Sequence, residues 1–113
     1  MRFFKVLLCG LVVLIFGFGI ATAVENGPAQ MELKGGERGD VPFNHKQHQD
    51  NLKDCNTCHV MFPQKTGAIQ EMIEQGNLKP RKVMNSLCTA CHREKKKAGV
   101  ATGPVTCSKC HIK

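Results

Sequence analysis

One five-residue unit occurs three times in this chain, and it constrains the fold more than any other feature. The copies are "CNTCH" (Cys55, Cys58, His59), "CTACH" (Cys88, Cys91, His92) and "CSKCH" (Cys107, Cys110, His111). They use every cysteine except Cys9, and three of the five histidines. Cysteine pairs alone leave several chemistries open. An exported chain of this size can be a disulfide scaffold. Cys88, Cys91, Cys107 and Cys110 fall within a zinc-ribbon spacing. A Cys-x-x-Cys pair can also be a redox site of the thioredoxin type.

The repeated histidine separates these readings. With 5 His in 113 residues, chance placement of one after all three pairs is on the order of one in ten thousand on composition alone. Zinc and disulfides give no reason for it, and a thioredoxin-type site needs a strand-helix domain that this chain is too short to build. Covalent haem does give a reason. Each thiol adds to one vinyl group, two intervening residues set the sulfur separation, and the adjacent imidazole is held beneath the iron. The sequence therefore implies three haem c groups. They are attached through Cys55, Cys58, Cys88, Cys91, Cys107 and Cys110, with His59, His92 and His111 as proximal iron ligands.

The haems also answer a size problem. Residues 1–23 read as a secretory signal: Arg2 and Lys5, an uncharged apolar run from Val6 to Ile20, and a small-x-small site at Ala21-Thr22-Ala23. Cys9 lies inside that run and would be lost with it. The alternative is an uncleaved N-terminal membrane anchor, since the uncharged run extends to Val24. Cleavage would leave residues 24–113, with Phe43 and Phe62 as the remaining aromatics. So short a chain has little apolar material for a core, and small scaffolds of this kind need a staple. Three apolar macrocycles would serve as core and make folding depend on their attachment. The chain divides into the signal, a hairpin and lead-in over 24–40, and a haem-binding segment over 41–113.

Regular structure is expected to be sparse and mostly α-helical. Residues near Gln30 to Lys34 and near Asp40 to Phe43 flank a Gly-rich turn and read as a short hairpin; Pro42 is tolerated on such edge strands. "GAIQEMIEQGN" reads as a helix with Ile69, Met72 and Ile73 on one face and Gly76 at its end. A further helix is expected from about Val83 through Lys97, its basic last turn preceding Gly99. In "FNHKQH", His45 and His48 are three apart and share a face of a helical turn. As the only histidines outside the three units, they are the available distal iron ligands.

The run "VPFNHKQHQDNLKDCNTCH" resembles the start of the small periplasmic multihaem cytochromes c of class III, the cytochrome c3 family. Three haems in this length resemble its trihaem c7 branch. The resemblance covers Met31 to Lys113. It implies a small c3/c7-like fold with haems forming the core. It implies that His45 is distal ligand to the haem of Cys55, Cys58 and His59, and His48 to the haem of Cys88, Cys91 and His92. It places Phe43 near these two haems, and the third distal histidine four residues before the second haem unit. That position is Met84 here.

The ligand count departs from the pattern whichever family is invoked. Three bis-histidine haems need six imidazoles, and the chain has five. The third haem therefore takes a non-histidine sixth ligand or has an open site. Met61, Met72, Met84, Lys82, Asn85 and water are candidates, and a thioether opposite histidine is a known haem ligation. Met84 is favoured because it stands in the family's distal slot. His/Met ligation would give this haem the highest potential of the three.

Removing Arg2 and Lys5 with the signal takes the formal charge from +7 to +5. Basic residues cluster at Lys79, Arg81 and Lys82 and again at Arg93, Lys95, Lys96 and Lys97. An exported chain without a recognition motif or exposed aromatics is not a nucleic-acid binder. The lysine-rich surface around Arg93, Lys95, Lys96 and Lys97 is either a plain solvated face or a docking site that steers redox partner proteins. The expectation is a periplasmic electron carrier in anaerobic respiration, with no catalytic residue. The alternative is a small haem enzyme or ligand-binding protein that uses a labile sixth site on the third haem.

Overall fold

Two short strands and a series of short helices make up the described residues, and almost nothing among them is buried. The computed structural model describes residues 26–113; the signal segment, Cys9 and the alternative anchor lie outside the described residues. Among the described residues no helix is long and apolar enough to cross a membrane. Strand β1 (Gln30–Leu33) pairs antiparallel with β2 (Val41–Asn44), in the register Met31↔Phe43 and Leu33↔Val41. Alternation puts those four side chains on the half-buried face and Glu32 and Pro42 on the exposed one. Both strands of a two-stranded sheet are edges, so Pro42 costs no ladder bond. The connecting turn holds a 3₁₀ segment, Gly36–Arg38. An isolated antiparallel bridge, Asp40 to Ile112, brings the C-terminus alongside this hairpin.

Helix α1 (His45–Leu52) follows β2 directly. Asn44 caps it, its side chain accepting from the Gln47 N–H at 3.0 Å. Helix α2 (Asn56–His59) carries the first Cys-x-x-Cys-His unit. Helix α3 (Ala68–Glu74) ends as its apolar spacing predicts. Gly76 turns left-handed (φ 75°), with Gly76 N–H donating to Ile73 O at 3.0 Å and Asn77 N–H to Met72 O at 2.8 Å. Leu78 is buried just beyond this cap. The Met72 side chain is half-buried on the α3 face that also carries Ile69 and Ile73.

The helical stretch holding the second unit starts at Pro80, ahead of the expected Val83. Apolar periodicity begins only at Val83, but Pro80 occupies the first helical position, where its fixed φ fits and its missing N–H costs nothing. The stretch comprises α4 (Pro80–Val83), a π-helical segment (Met84–Cys88) and α5 (Thr89–Lys97). The wide turn is closed at Thr89, whose N–H and Oγ1 both donate to Met84 O, the hydroxyl at 3.0 Å. Local pattern carries no signal for a π turn, and such insertions tend to occur at functional positions. Helix α6 (Cys107–Cys110) carries the third unit.

Ala68 and Leu78 are the only buried apolar residues among those described, at 5% and 6% exposure, with Thr89 at 9%. This supplies far less apolar burial than a single domain needs to offset its conformational entropy. Leu78→Ala should lower the stability of the holoprotein by about 2–3 kcal/mol, checked by denaturant unfolding.

The hairpin is pinned by Asp40. Its carboxyl is held below the ordinary 3.8 by a hydrogen bond from Lys34 and then by one from the Gly35 N–H. The Lys34 ammonium is correspondingly raised above 10.5, chiefly by its hydrogen bond to Asp40. Each depressed acid stabilises the fold above its unfolded pKa and ceases to do so as pH falls through its folded value; the raised base does so below its unfolded pKa and ceases as pH rises. The Tm difference between wild type and Lys34→Met should therefore be greatest near neutrality and shrink below about pH 3.8 and above about pH 10.5, as thermal melts across pH would show.

Candidate haem-binding site

Each Cys-x-x-Cys-His unit folds as one helical turn, which places cysteines three apart on one side. The turns close through His59 N–H to Cys55 O at 3.0 Å and His111 N–H to Cys107 O at 2.9 Å. In every unit the first cysteine is exposed and the second half-buried, and none of the six is in a disulfide. Burial pushes up the thiol of Cys58, with Cys91 of the second unit adding to the effect. Burial likewise pushes up Cys110, with Cys107 adding to it.

The histidines share one arrangement. All five are half-buried, and each donates from Nδ1 to a backbone carbonyl. His45 bonds Pro28 O at 3.0 Å, His48 Asn44 O at 2.8 Å and His59 Phe62 O at 3.2 Å. His92 bonds Pro104 O at 2.7 Å and His111 bonds Gly39 O at 2.8 Å. A carbonyl can only accept, so the neutral ring carries its proton on Nδ1 and its lone pair on Nε2. This is the state of an imidazole prepared to bind a metal through Nε2.

Four of the rings stand in pairs. The His45 and His59 centroids are 6.3 Å apart with planes at 76°, and those of His48 and His92 are 6.2 Å apart at 29°. A metal about 2 Å from each of two opposed ring nitrogens, themselves about 1 Å from their ring centres, requires about 6 Å. The His45/His48 turn of α1 thus reaches two different units. Phe43 lies near one ring of each pair, its ring 4.5 Å from that of His48 and 6.1 Å from that of His45. Phe62 stands edge-on to His59 at 5.3 Å. No second imidazole is left for His111. Met84 is half-buried and opens the π segment.

The donor set fits haem c and no bare metal. The cysteines are grouped in spaced pairs, the imidazoles present Nε2, and two ring pairs have about the separation that an iron between two imidazoles would need. Among the described residues no three His, Cys, Asp or Glu side chains converge on one point, so the zinc-ribbon spacing makes no zinc site.

A small helical chain with one hairpin, three haem-attachment turns and little protein core is a multihaem cytochrome c. Residues 41–112 match the model of the family "Cytochrome c7 and related cytochrome c". The chain is 32% identical over 111 residues to a 26 kDa cytochrome c3 of Desulfomicrobium norvegicum, covering 84% of this chain and 97% of that one. It is 30% identical over 109 residues to a cytochrome c7 of Geobacter metallireducens, covering 96% and 99%. Its structure is similar to that of the trihaem cytochrome PpcA of Geobacter sulfurreducens, at TM-score 0.55 and 31% identity, over 76% of this chain and all of that one. The chain belongs to the cytochrome c7 family and carries three haem c groups, as its three attachment units require.

Sequence reasoning missed the groups that hold the histidines: the carbonyls of Pro28, Asn44, Phe62, Pro104 and Gly39, and the ring of Phe62. One signal was present. The dipeptide Gly-Pro occurs at Gly27-Pro28 and again at Gly103-Pro104, and each proline carbonyl receives a histidine while the glycine lies against its ring. A Cβ on Gly103 would stand 2.4 Å from His92 Cε1 and 2.8 Å from Nε2. Gly103→Ala is therefore expected to turn the His92 ring and weaken its bond to Pro104. In the holoprotein the His92 Nδ1 proton should exchange with solvent at least tenfold faster, while that of His59 is unchanged, as read by NMR.

Proposed function

We propose that this chain is a periplasmic electron carrier that passes single electrons between redox partner proteins in anaerobic respiration. The observation that carries the reading is the common state of the five imidazoles: every Nδ1–H is committed to a backbone carbonyl, and every Nε2 is left for a metal. Haem supplies the one-electron Fe(III)/Fe(II) couple, and the chain supplies attachment, axial ligands and spacing. His45 and His59 are assigned to the iron of the first haem and His48 and His92 to that of the second, on the strength of their ring separations. His111 is assigned to the third as proximal ligand. Met84 is assigned as its distal ligand because the other four imidazoles are paired elsewhere and the family's distal slot falls on Met84. Export is supported by the Arg2-to-Ala23 leader pattern and by the periplasmic setting that the family resemblance implies.

The lysine-rich end of α5 is the proposed docking surface. Arg93, Lys96 and Lys97 are exposed, and none of them, nor Lys95, joins an ion pair among the described residues. Such a surface would speed encounter with an acidic partner, and the gain would fall with salt.

Thioether ligation disfavours Fe(III) relative to a second imidazole, which makes the third haem the high-potential end of the set. Redox titration with near-infrared spectroscopy tests this. The oxidised wild type should show a methionine–iron charge-transfer band. Met84→His should abolish that band and lower the potential of one haem while sparing the others. A wild type with no such band would refute Met84 ligation. Rapid binding of carbon monoxide at one haem of the reduced protein would instead favour the ligand-binding alternative.

A further inference from the structure

His111 differs from the other four histidines in where its acceptor comes from. The acceptors of His48 and His59 lie within four residues of them in the chain, and those of His45 and His92 lie 17 and 12 residues away. His111 donates to Gly39 O, 72 residues back, in the turn of the N-terminal hairpin. A second hydrogen bond to the hairpin comes from the next residue: Ile112 N–H donates to Asp40 O at 2.9 Å. Consecutive carbonyls of Gly39 and Asp40 therefore grip consecutive residues of the C-terminus.

The grip is built to close tolerance. Gly39 has φ 96° and ψ 161°, a region open essentially to glycine, and a Cβ there would stand 2.3 Å from Ile112 O. A Cβ on Gly35 would stand 1.8 Å from Gly39 O and 2.5 Å from His111 Nδ1. One side chain holds this turn in shape. Asp40 accepts the Gly35 N–H on Oδ1 at 3.2 Å and the Lys34 ammonium on Oδ2 at 2.8 Å. Gly39 N–H closes the 3₁₀ segment on Gly36 O at 3.1 Å. The hydrogen bonds of the Asp40 carboxylate go to Lys34 and the Gly35 N–H and none to His111, so its influence on the imidazole runs through the turn.

We infer that Asp40 is a positioning residue for the third haem: by locking the Gly35–Gly39 turn it aims the Gly39 carbonyl at His111 Nδ1–H and thereby tunes that iron alone. A well-aimed acceptor makes the imidazole more basic, and a more basic ligand favours Fe(III). Loosening the turn shifts the third haem toward Fe(II). The inference rests on His111 being an iron ligand, as proposed above.

The test uses the trihaem holoprotein at neutral pH, with each haem followed separately by NMR through a redox titration. Asp40→Ala removes both acceptor oxygens. It should shift the third haem's Fe(III)/Fe(II) ratio at fixed potential about tenfold toward Fe(II), which is about 59 mV for a one-electron couple. The His111 Nδ1 proton should exchange at least tenfold faster. The first and second haems should move less than twofold. Asp40→Asn removes the charge but keeps an oxygen for the Gly35 N–H, and should stay within about threefold of wild type. If Asp40→Asn shifts the third haem as far as Asp40→Ala, the effect is the lost charge and the inference fails. It also fails if Asp40→Ala leaves the third haem unmoved, or moves all three equally. Where Asp40→Ala yields no holoprotein, Asp40→Ser takes its place, with a shift in the same direction expected and no shift overturning the inference. Paramagnetically shifted His111 ring signals in the oxidised wild type report ligation independently. Their absence would overturn the ligand assignment itself.

Discussion

The hydrogen bond from histidine Nδ1 to a backbone carbonyl is the interaction on which this structure turns. It sets the tautomer, orients the ring and leaves Nε2 with a lone pair. It also acts as tertiary structure. Pro28, Pro104 and Gly39 lie in loops and turns, and the histidines they hold tie those irregular segments to α1, to α5 and to the end of α6. In a chain with two buried apolar residues among those described, such ties take over part of the role that side-chain packing has elsewhere.

The second constraint is geometric. Three attachment turns must each present two sulfurs and one imidazole on one side, and a helical turn does this by itself because residues three apart share a face. The helices are accordingly short, and their remaining surface is charged and solvated. The hairpin offers its Met31, Leu33, Val41 and Phe43 face, with Phe43 set against His45 and His48. The economy suits a member of the cytochrome c7 family: a fold with so little protein core depends on its prosthetic groups for stability.

Much of this was legible in advance, for stated physical reasons. The Cys-x-x-Cys-His spacing reflects covalent chemistry and survives without context. The hairpin was readable from two extended runs around glycines, and the end of α3 from its apolar spacing and Gly76. The start at Pro80 was missed because apolar periodicity begins only at Val83. The π segment was missed because it is closed by two hydrogen bonds from Thr89 to the Met84 carbonyl, which residue pattern does not encode. Phe62 looked like one of two leftover aromatics and proves to lie against His59 with both its ring and its carbonyl.

The sequence by itself determined the cofactor number, the three Cys-x-x-Cys-His units and the shortage of one imidazole, because these depend on residue type, spacing and count. The tertiary structure alone decided which backbone carbonyls hold the histidines; the partnering of His45 with the His59 unit and of His48 with the His92 unit was already what the family resemblance implied. His45 and His48 share a helical turn, yet one lies across from His59 and the other from His92. The Gly39 carbonyl meets His111 across 72 residues. Backbone carbonyls are chemically alike along the chain, so only folding can single out the five that receive a histidine.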